Sequence, residues 1–562
     1  MSETEDASTV DTAVSKNGRP SLLPAAALLI GAALAYGAIA FQVVLSGQIS
    51  AEEAMYLIKA GWYASGQAAP YTAIDATAQM PFYFYQLGFW QRLVDLGLMP
   101  ARLMSVGIGV INAALVFVIC RRLTANTLAA AAAVFIFLAT PATAFSFAAA
   151  TPAATVSALH LGTIWLIVAS LGRPRPWATV LMGLLGVALY FYRQNMLLSI
   201  VVLVPLYLAA IGRARWLHAA LLLGTIALAV GGVLFLFPEK MGDYALRLPA
   251  ISPLLDKLGL LAPNFTLIDR GTIGATTMGP AFDRIAPADV LDYFLLPYGG
   301  TVLLAAMLFG LVGAGLRVLW FAPLYFFWLA ASHYLASLGY CQTCIISYTP
   351  YYSGLGALAA AVSLAMLAHR ARQNMIPAAP CVLFGAVLAV ALNAFAPSFA
   401  VHAEARDFPI PMMAKALPTS EAGDVEILAR WISANTPPRE PILVLHSLGR
   451  QSLPALPYAV FLAERTMPTQ SINPAAGRRV VNPKLSAQAR ESVQAAIEEE
   501  SLWTDSTLAR WIERDYDVVL FQEDRSIDQR PQIAAITAHF ELATATIFRG
   551  SNIFLYKRKS VQ

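Results

Sequence analysis

Along residues 22–399, uncharged apolar runs alternate with short basic clusters. Runs of about 18–25 residues, the length that crosses a bilayer as a helix, fall near 22–46, 103–120, 127–145, 152–171, 176–192, 195–211, 216–237, 299–316, 318–338, 350–368 and 376–399. The pattern predicts a polytopic α-helical membrane protein with about eleven transmembrane helices. The stretch 123–172 holds no charged residue and is too long for one helix, so Pro141 and Pro152 predict a turn between two spans. From about Ala403 the pattern changes, and acids and bases intermix with short apolar segments. Strands are predicted at 442–446, 518–522, 542–547 and 553–556, and helices near 420–434, 484–500 and 505–514. Such alternation predicts a small C-terminal α/β domain.

Composition agrees with this division. Hydrophobic residues make up 58% of the chain and charged residues 13%, with a mean hydropathy of +0.60. A soluble domain carries about a quarter charged residues, so a wholly soluble protein is excluded. The formal net charge of +4 is too small a bias to suggest a nucleic-acid partner. Residues 1–20 lack the basic-then-apolar order of a secretory signal, so the run 22–46 reads as a retained first span.

The arginines set an expected orientation. Lys16 and Arg19 precede the first span, Arg121 and Arg122 follow the second, and Arg173 and Arg175 the fourth. Arg213 and Arg215 follow the sixth, Arg317 the eighth, and Arg370 and Arg372 the tenth. These basic ends, free of acids, predict a cytoplasmic N-terminus. The expected organisation is a cytoplasmic tail over 1–20, a membrane domain over 21–400 with outer juxtamembrane helices, and a periplasmic α/β domain over 401–562. Outer loops are expected near 47–101 and 238–298, with a short one near 339–349. The site expected is thus at the outer face of a bacterial-type inner membrane.

Candidate chemistry gathers in the outer loops. Glu52 and Glu53 follow the first span directly, in Ser50-Ala51-Glu52-Glu53-Ala54-Met55-Tyr56. Adjacent carboxylates at a membrane surface suit general-base work. They equally suit a helix start favoured by the macrodipole, with Ser50 as cap. Asp75 fits a turn, and His333 near the ninth span fits either a hydrogen-bonded core histidine or a ligand. His160, inside the fourth span, reads as packing against its neighbours. Tyr348, Tyr351 and Tyr352 fit an interfacial aromatic belt or the lining of a sugar site. Cys341 and Cys344 form a C-x-x-C without thioredoxin-like surroundings, which fits a small disulfide or idle thiols. Cys120 and Cys381 read as core residues. No metal-spaced cluster or phosphate loop appears.

The order of motifs resembles the GT-C superfamily of membrane glycosyltransferases, in its protein O-mannosyltransferase and aminoarabinose transferase branch. The resemblance rests on Glu52-Glu53-Ala54-Met55-Tyr56, Pro81-Phe82-Tyr83 and Arg102-Leu103-Met104-Ser105, and on topology over roughly 20–400. In the tail it rests on Trp431-Ile432-Ser433-Ala434-Asn435-Thr436-Pro437-Pro438, then a strand, then Phe461-Leu462-Ala463-Glu464-Arg465. It implies a polyprenyl-phosphate sugar as donor, bound in a cavity facing the outer leaflet, and a glycan, lipid or protein as acceptor. Glu52 and Glu53 would supply the base and Arg193 would hold the donor phosphate, with Arg102 as a second phosphate contact or, equally, a partner of Asp95 or anionic lipid. Tyr56, Asp75, Tyr83, His333 and Tyr348 are possible lining residues. No cofactor and no catalytic metal are implied. The family's second acid, between the third and fourth spans, has no counterpart in 148–153, which reads Ala-Ala-Ala-Thr-Pro-Ala. Two other classes stay open: a transporter of lipid-linked saccharide, and a non-catalytic component of envelope-polysaccharide assembly. The chain shows no obvious internal repeat, and its ionisable residues gather at one boundary rather than at mid-depth, which favours chemistry on one face.

Overall fold

The computed structural model describes residues 22–45, 51–66, 81–94, 97–193, 196–212, 215–236, 351, 353–373, 378–394, 421–445, 455–467, 516–523, 530–548 and 551–560. Helices α1 (Leu22–Leu45), α4 (Leu98–Thr124) and α10 (Arg215–Leu236) are long and apolar enough to cross a membrane. Among the described residues the other helices of the bundle are α5 (Thr127–Ala139), α6 (Pro141–Ala148), α7 (Ala153–Ala169), α8 (Pro176–Tyr192), α9 (Leu197–Ile211), α11 (Ser353–Gln373) and α12 (Ala378–Ala394). The runs expected near 299–316 and 318–338 lie outside the described residues, as do Cys341 and Cys344.

At the centre of the bundle, α5 packs against α1, α4, α11 and α12. Its buried run Ala129 to Ala133 lets neighbouring helices approach closely. Asn126 starts it by accepting from the backbone N–H groups of Leu128 (2.9 Å) and Ala129 (3.3 Å). The span expected near 127–145 is not one helix. Pro141 lacks an N–H and keeps Thr140 extended (φ −70°, ψ 116°), so α5 ends there and α6 begins at a new angle.

Two helices occupy the expected first outer loop, α2 (Ala51–Ser65) and α3 (Phe82–Leu93). They meet closely at Gly88, where a Cβ would stand 2.5 Å from the Ala60 carbonyl oxygen.

The C-terminal part holds α13 (Glu421–Asn435), α14 (Ala455–Leu462), α15 (Arg530–His539) and four strands. These strands, β1 (Ile442–Leu445), β2 (Val518–Gln522), β3 (Phe540–Phe548) and β4 (Ser551–Arg558), form a sheet in the order β1-β2-β4-β3. The β1–β2 pair is parallel and the other two are antiparallel. Alternate side chains divide between two cores, as a period of two requires. Leu443, Leu445, Val519, Phe521 and Tyr556 join Ile536 of α15. Ile442, Val444, Val518, Leu520, Ile553 and Leu555 share a core with α13, α14 and the membrane-side helices α2 and α3. Contact with α2 is tight at Gly61, where a Cβ would fall 2.5 Å from the Phe461 ring.

Arg465 explains why two distant tail motifs go together. Its guanidinium donates to the carbonyls of Thr436 (2.7 Å), Ser433 (3.2 Å) and Ala463, and to the Thr436 hydroxyl (2.9 Å). A cation thereby caps the C-terminal end of α13, the favourable end of the helix dipole.

Candidate functional site

One end of the bundle collects the acid of α2 and the arginines of α4 and the α8–α9 junction. Glu53, in the first turn of α2, is 2% exposed, and Arg102, in the first turns of α4, is 3% exposed. The pair is bidentate: Arg102 Nε and Nη2 each donate to one Glu53 oxygen at 2.8 Å. The backbone N–H of Ala150, in the α6–α7 turn, donates to Glu53 Oε1 at 2.8 Å. Arg102 Nη1 donates to the Val43 carbonyl near the end of α1. Four elements are thus tied by one ion pair, and burying such a pair is tolerable only because its hydrogen bonds are satisfied on both partners.

Tyr56 stands one turn further along α2, fully buried, and the Arg193 guanidinium donates to its hydroxyl. Arg193 terminates α8 in an extended conformation (φ −151°, ψ 111°), which swings its side chain out of the helical register. Its Cζ lies 5.7 Å from the Tyr56 ring centroid and 5.9 Å from that of Tyr351, within cation–π range. Tyr83, in the first turn of α3, meets Tyr56 edge-to-face, with ring centroids 5.1 Å apart. Burial pushes the Tyr83 phenol far above its ordinary value; the Ser105 hydroxyl opposes this, Glu53 adds to the rise and Arg193 lowers it. Tyr458 of α14 reaches the same place from the C-terminal part. Burial raises its phenol too, with Arg102 and the Leu98 backbone opposing.

The sequence-predicted residues therefore separate into three groups. Glu53, Tyr56, Tyr83 and Arg193 come together. Arg102 lies among them too, and the acid pairing expected as the alternative to a phosphate contact is present, with Glu53 rather than Asp95 as the partner and the Val43 carbonyl as a further acceptor. Glu52 occupies the first turn of α2 next to Glu53, while Asp75, His333 and Tyr348 lie outside the described residues. Among the described residues, no group of three or more His, Cys, Asp or Glu could hold a metal ion.

Two features were not anticipated. Lys59 is 1% exposed, in the same helix as Glu53 and Tyr56. Its signal was a lone cation within the otherwise apolar run 57–62. The second is the Ala150 N–H, a backbone donor in the segment where the resemblance implied an acid; no side-chain motif can announce it.

No family model matches the sequence, and no curated protein matches it either. Solved structures do. ArnT from Cupriavidus metallidurans in the apo state superposes with a TM-score of 0.55 at 14% identity, covering 94% of this chain and 97% of that one. The chain has the GT-C fold. ArnT from the same organism bound to undecaprenyl phosphate gives a TM-score of 0.53 at 12% identity, again over 94% of this chain and 97% of that one. At such low identity the GT-C likeness fixes architecture, and the chemistry has to be argued from the residues above.

Proposed function

We propose that this protein is a glycosyltransferase that moves a sugar from a polyprenyl-phosphate donor to a hydroxyl of a glycan, lipid or protein acceptor, at the outer face of the inner membrane. The observation that carries the reading is the convergence of the acidic first turn of α2 with Arg193 through Tyr56. In this reading the acceptor hydroxyl gives its proton to a carboxylate as its oxygen bonds to the anomeric carbon. The bond from that carbon to the phosphate oxygen breaks, and polyprenyl phosphate leaves with the electron pair. Fixed positive charge at the leaving phosphate is worth most where water is excluded. Arg193, braced by two aromatic faces, is the cation proposed for that place. Its partner Tyr56 holds it at the acidic turn.

The two carboxylates take different roles. Glu53 accepts three hydrogen bonds on its two oxygens, from Arg102 and Ala150, so it is proposed to position α2. Glu52, four residues before Tyr56 and hence one helical turn from it, is proposed as the proton acceptor. ArnT bound to undecaprenyl phosphate supports a lipid phosphate as the donor's carrier. The test is transfer by the purified protein from a panel of polyprenyl-phosphate monosaccharides. Glu52→Gln should lower the transfer rate by about 100-fold or more while donor binding persists, in line with loss of a general base. Arg193→Ala should weaken binding of phosphate-bearing lipid and leave binding of the free polyprenol unchanged. Transfer undiminished in Glu52→Gln would remove that residue from the mechanism, and an equal loss for both lipids would remove Arg193 from the phosphate.

A further inference from the structure

Behind Arg193 lies a buried imidazole that the chemistry above does not use. His160, in the second turn of α7, is 1% exposed. Its Nδ1 lies 3.1 Å from the carbonyl oxygen of Tyr351, and its Nε2 lies 3.3 Å from the Ser199 hydroxyl. A carbonyl only accepts, so Nδ1 carries the hydrogen and donates to Tyr351; in the neutral ring Nε2 then accepts from Ser199. One partner touches Arg193 and the other follows it closely along the chain. Tyr351, just before α11, lays its ring against the Arg193 guanidinium. Ser199 sits in the first turn of α9, directly after the α8–α9 junction that carries Arg193.

We infer that His160 is a positioning residue for the phosphate-binding cation: it clamps the Tyr351 backbone to the start of α9 and thereby fixes where the Arg193 guanidinium points. The inference rests on the assignment of Arg193 to the donor phosphate. An arginine at an extended helix junction has several soft torsions, and a guanidinium that wanders presents no preformed site to a phosphate. Tyr56 limits it from one side through its hydroxyl, and Tyr351 limits it from the other through its ring. Tyr56 packs in the core shared by α2 and α3, and the Tyr351 ring packs in the main bundle core although its backbone stands outside the regular part of α11. The hydrogen bond from His160 gives the Tyr351 backbone a directional tie to α7, beside the apolar packing of Gly354 on Leu161. The imidazole touches neither donor nor acceptor in this account, and it transfers no proton.

The experiment measures binding of undecaprenyl phosphate and of undecaprenol to the full-length protein in detergent. His160→Leu should weaken undecaprenyl phosphate by about tenfold, the loss expected from one buried hydrogen bond, and leave undecaprenol unchanged. His160→Asn can place an amide N–H near the Nδ1 position and should recover most of that loss. His160→Gln reaches only the Nε2 position and should not. If His160→Leu fails to fold, the comparison of Asn with Gln decides alone. Equal weakening of both lipids, or equal behaviour of Asn and Gln, would overturn the inference and leave His160 as a packing residue. Arg193→Ala is measured beside them. If it leaves the preference for the phosphate lipid intact, the phosphate assignment itself falls and the positioning role falls with it; if it removes the preference while His160→Leu does not, only the positioning role is lost.

Discussion

The two ends of the helix bundle both carry arginines, and they use them in opposite ways. At the end formed by the α7–α8 turn, the end of α4 and the start of α10, Arg121, Arg122, Arg173, Arg175 and Arg215 are all exposed. Trp177 and Trp216 stand exposed beside them, with the Arg215 guanidinium 5.7 Å from the Trp216 ring centroid. Such a ring of cations and indoles suits a membrane–water boundary, where a long side chain reaches water at little cost. At the other end, Arg102 is turned into the protein against Glu53, and Arg193 is half-buried against Tyr56 and Tyr351. An arginine count alone yields a topology. Which arginines are withdrawn from water, and against which partners, indicates where binding and chemistry are built.

The sharpest way to break this contrast is Arg102→Ala. Removing one partner strands the Glu53 carboxylate in a dry core, which costs about 3–5 kcal/mol. Thermal unfolding of the purified protein in detergent should show that loss. Changing both partners together, as Glu53→Gln with Arg102→Gln, should cost less than the sum of the two single changes, because neither leaves a bare charge behind. Additive losses would mean that the two side chains act independently and that the pair is not the tie between α1, α2, α4 and the α6–α7 turn.

That pair also marks the boundary of what the sequence could tell. Helices were legible because lipid-facing and core-facing positions are both apolar, so each leaves a continuous run. The strand positions at 518–522 and 442–445 were legible because short apolar segments stood out against a charged background. Local chemistry was legible too: Pro141 announced a break, although the run expected over 127–145 extends past it. Glu53 and Arg102 are 49 residues apart, and nothing periodic links them. The partners expected for Arg102 were a donor phosphate, anionic lipid or Asp95, and Glu53 was not among them. The Ala150 N–H was invisible for a different reason, since every non-proline residue carries one and only the turn at 149–152 aims it. His160 looked like any polar residue within a span, because its two partners belong to segments 39 and 191 residues away.

A polar cluster at the arginine-rich end sharpens the comparison, because there burial occurs without proximity to the proposed site. The Thr179 hydroxyl of α8 contacts the Tyr207 hydroxyl at 2.8 Å and His218 Nδ1 at 2.5 Å, which pins α8, α9 and α10 together. Thr179→Val keeps the shape and removes the hydroxyl, leaving two buried polar groups short of a partner, at about 1–3 kcal/mol. Unfolding should register that loss, while the preference for undecaprenyl phosphate over undecaprenol stays at the wild-type value. A change in preference would show that the two ends are coupled, and that buried polar contacts matter for the site wherever they lie.

The smallest effect is expected from the exposed arginines themselves. Arg121→Ala and Arg175→Ala remove charges that already stand in water, so each should shift stability by no more than about 0.5 kcal/mol. Basic clusters of this kind are expected to act during insertion, by biasing which loops stay on the basic side, with several sharing the work. The folded protein then has no further need of any one of them. Unfolding of the two variants, set beside Arg102→Ala, therefore places the same chemical deletion in two environments. If an exposed arginine proved as damaging as Arg102, burial would not be what distinguishes the ends, and charge withdrawn from water would not mark the proposed site.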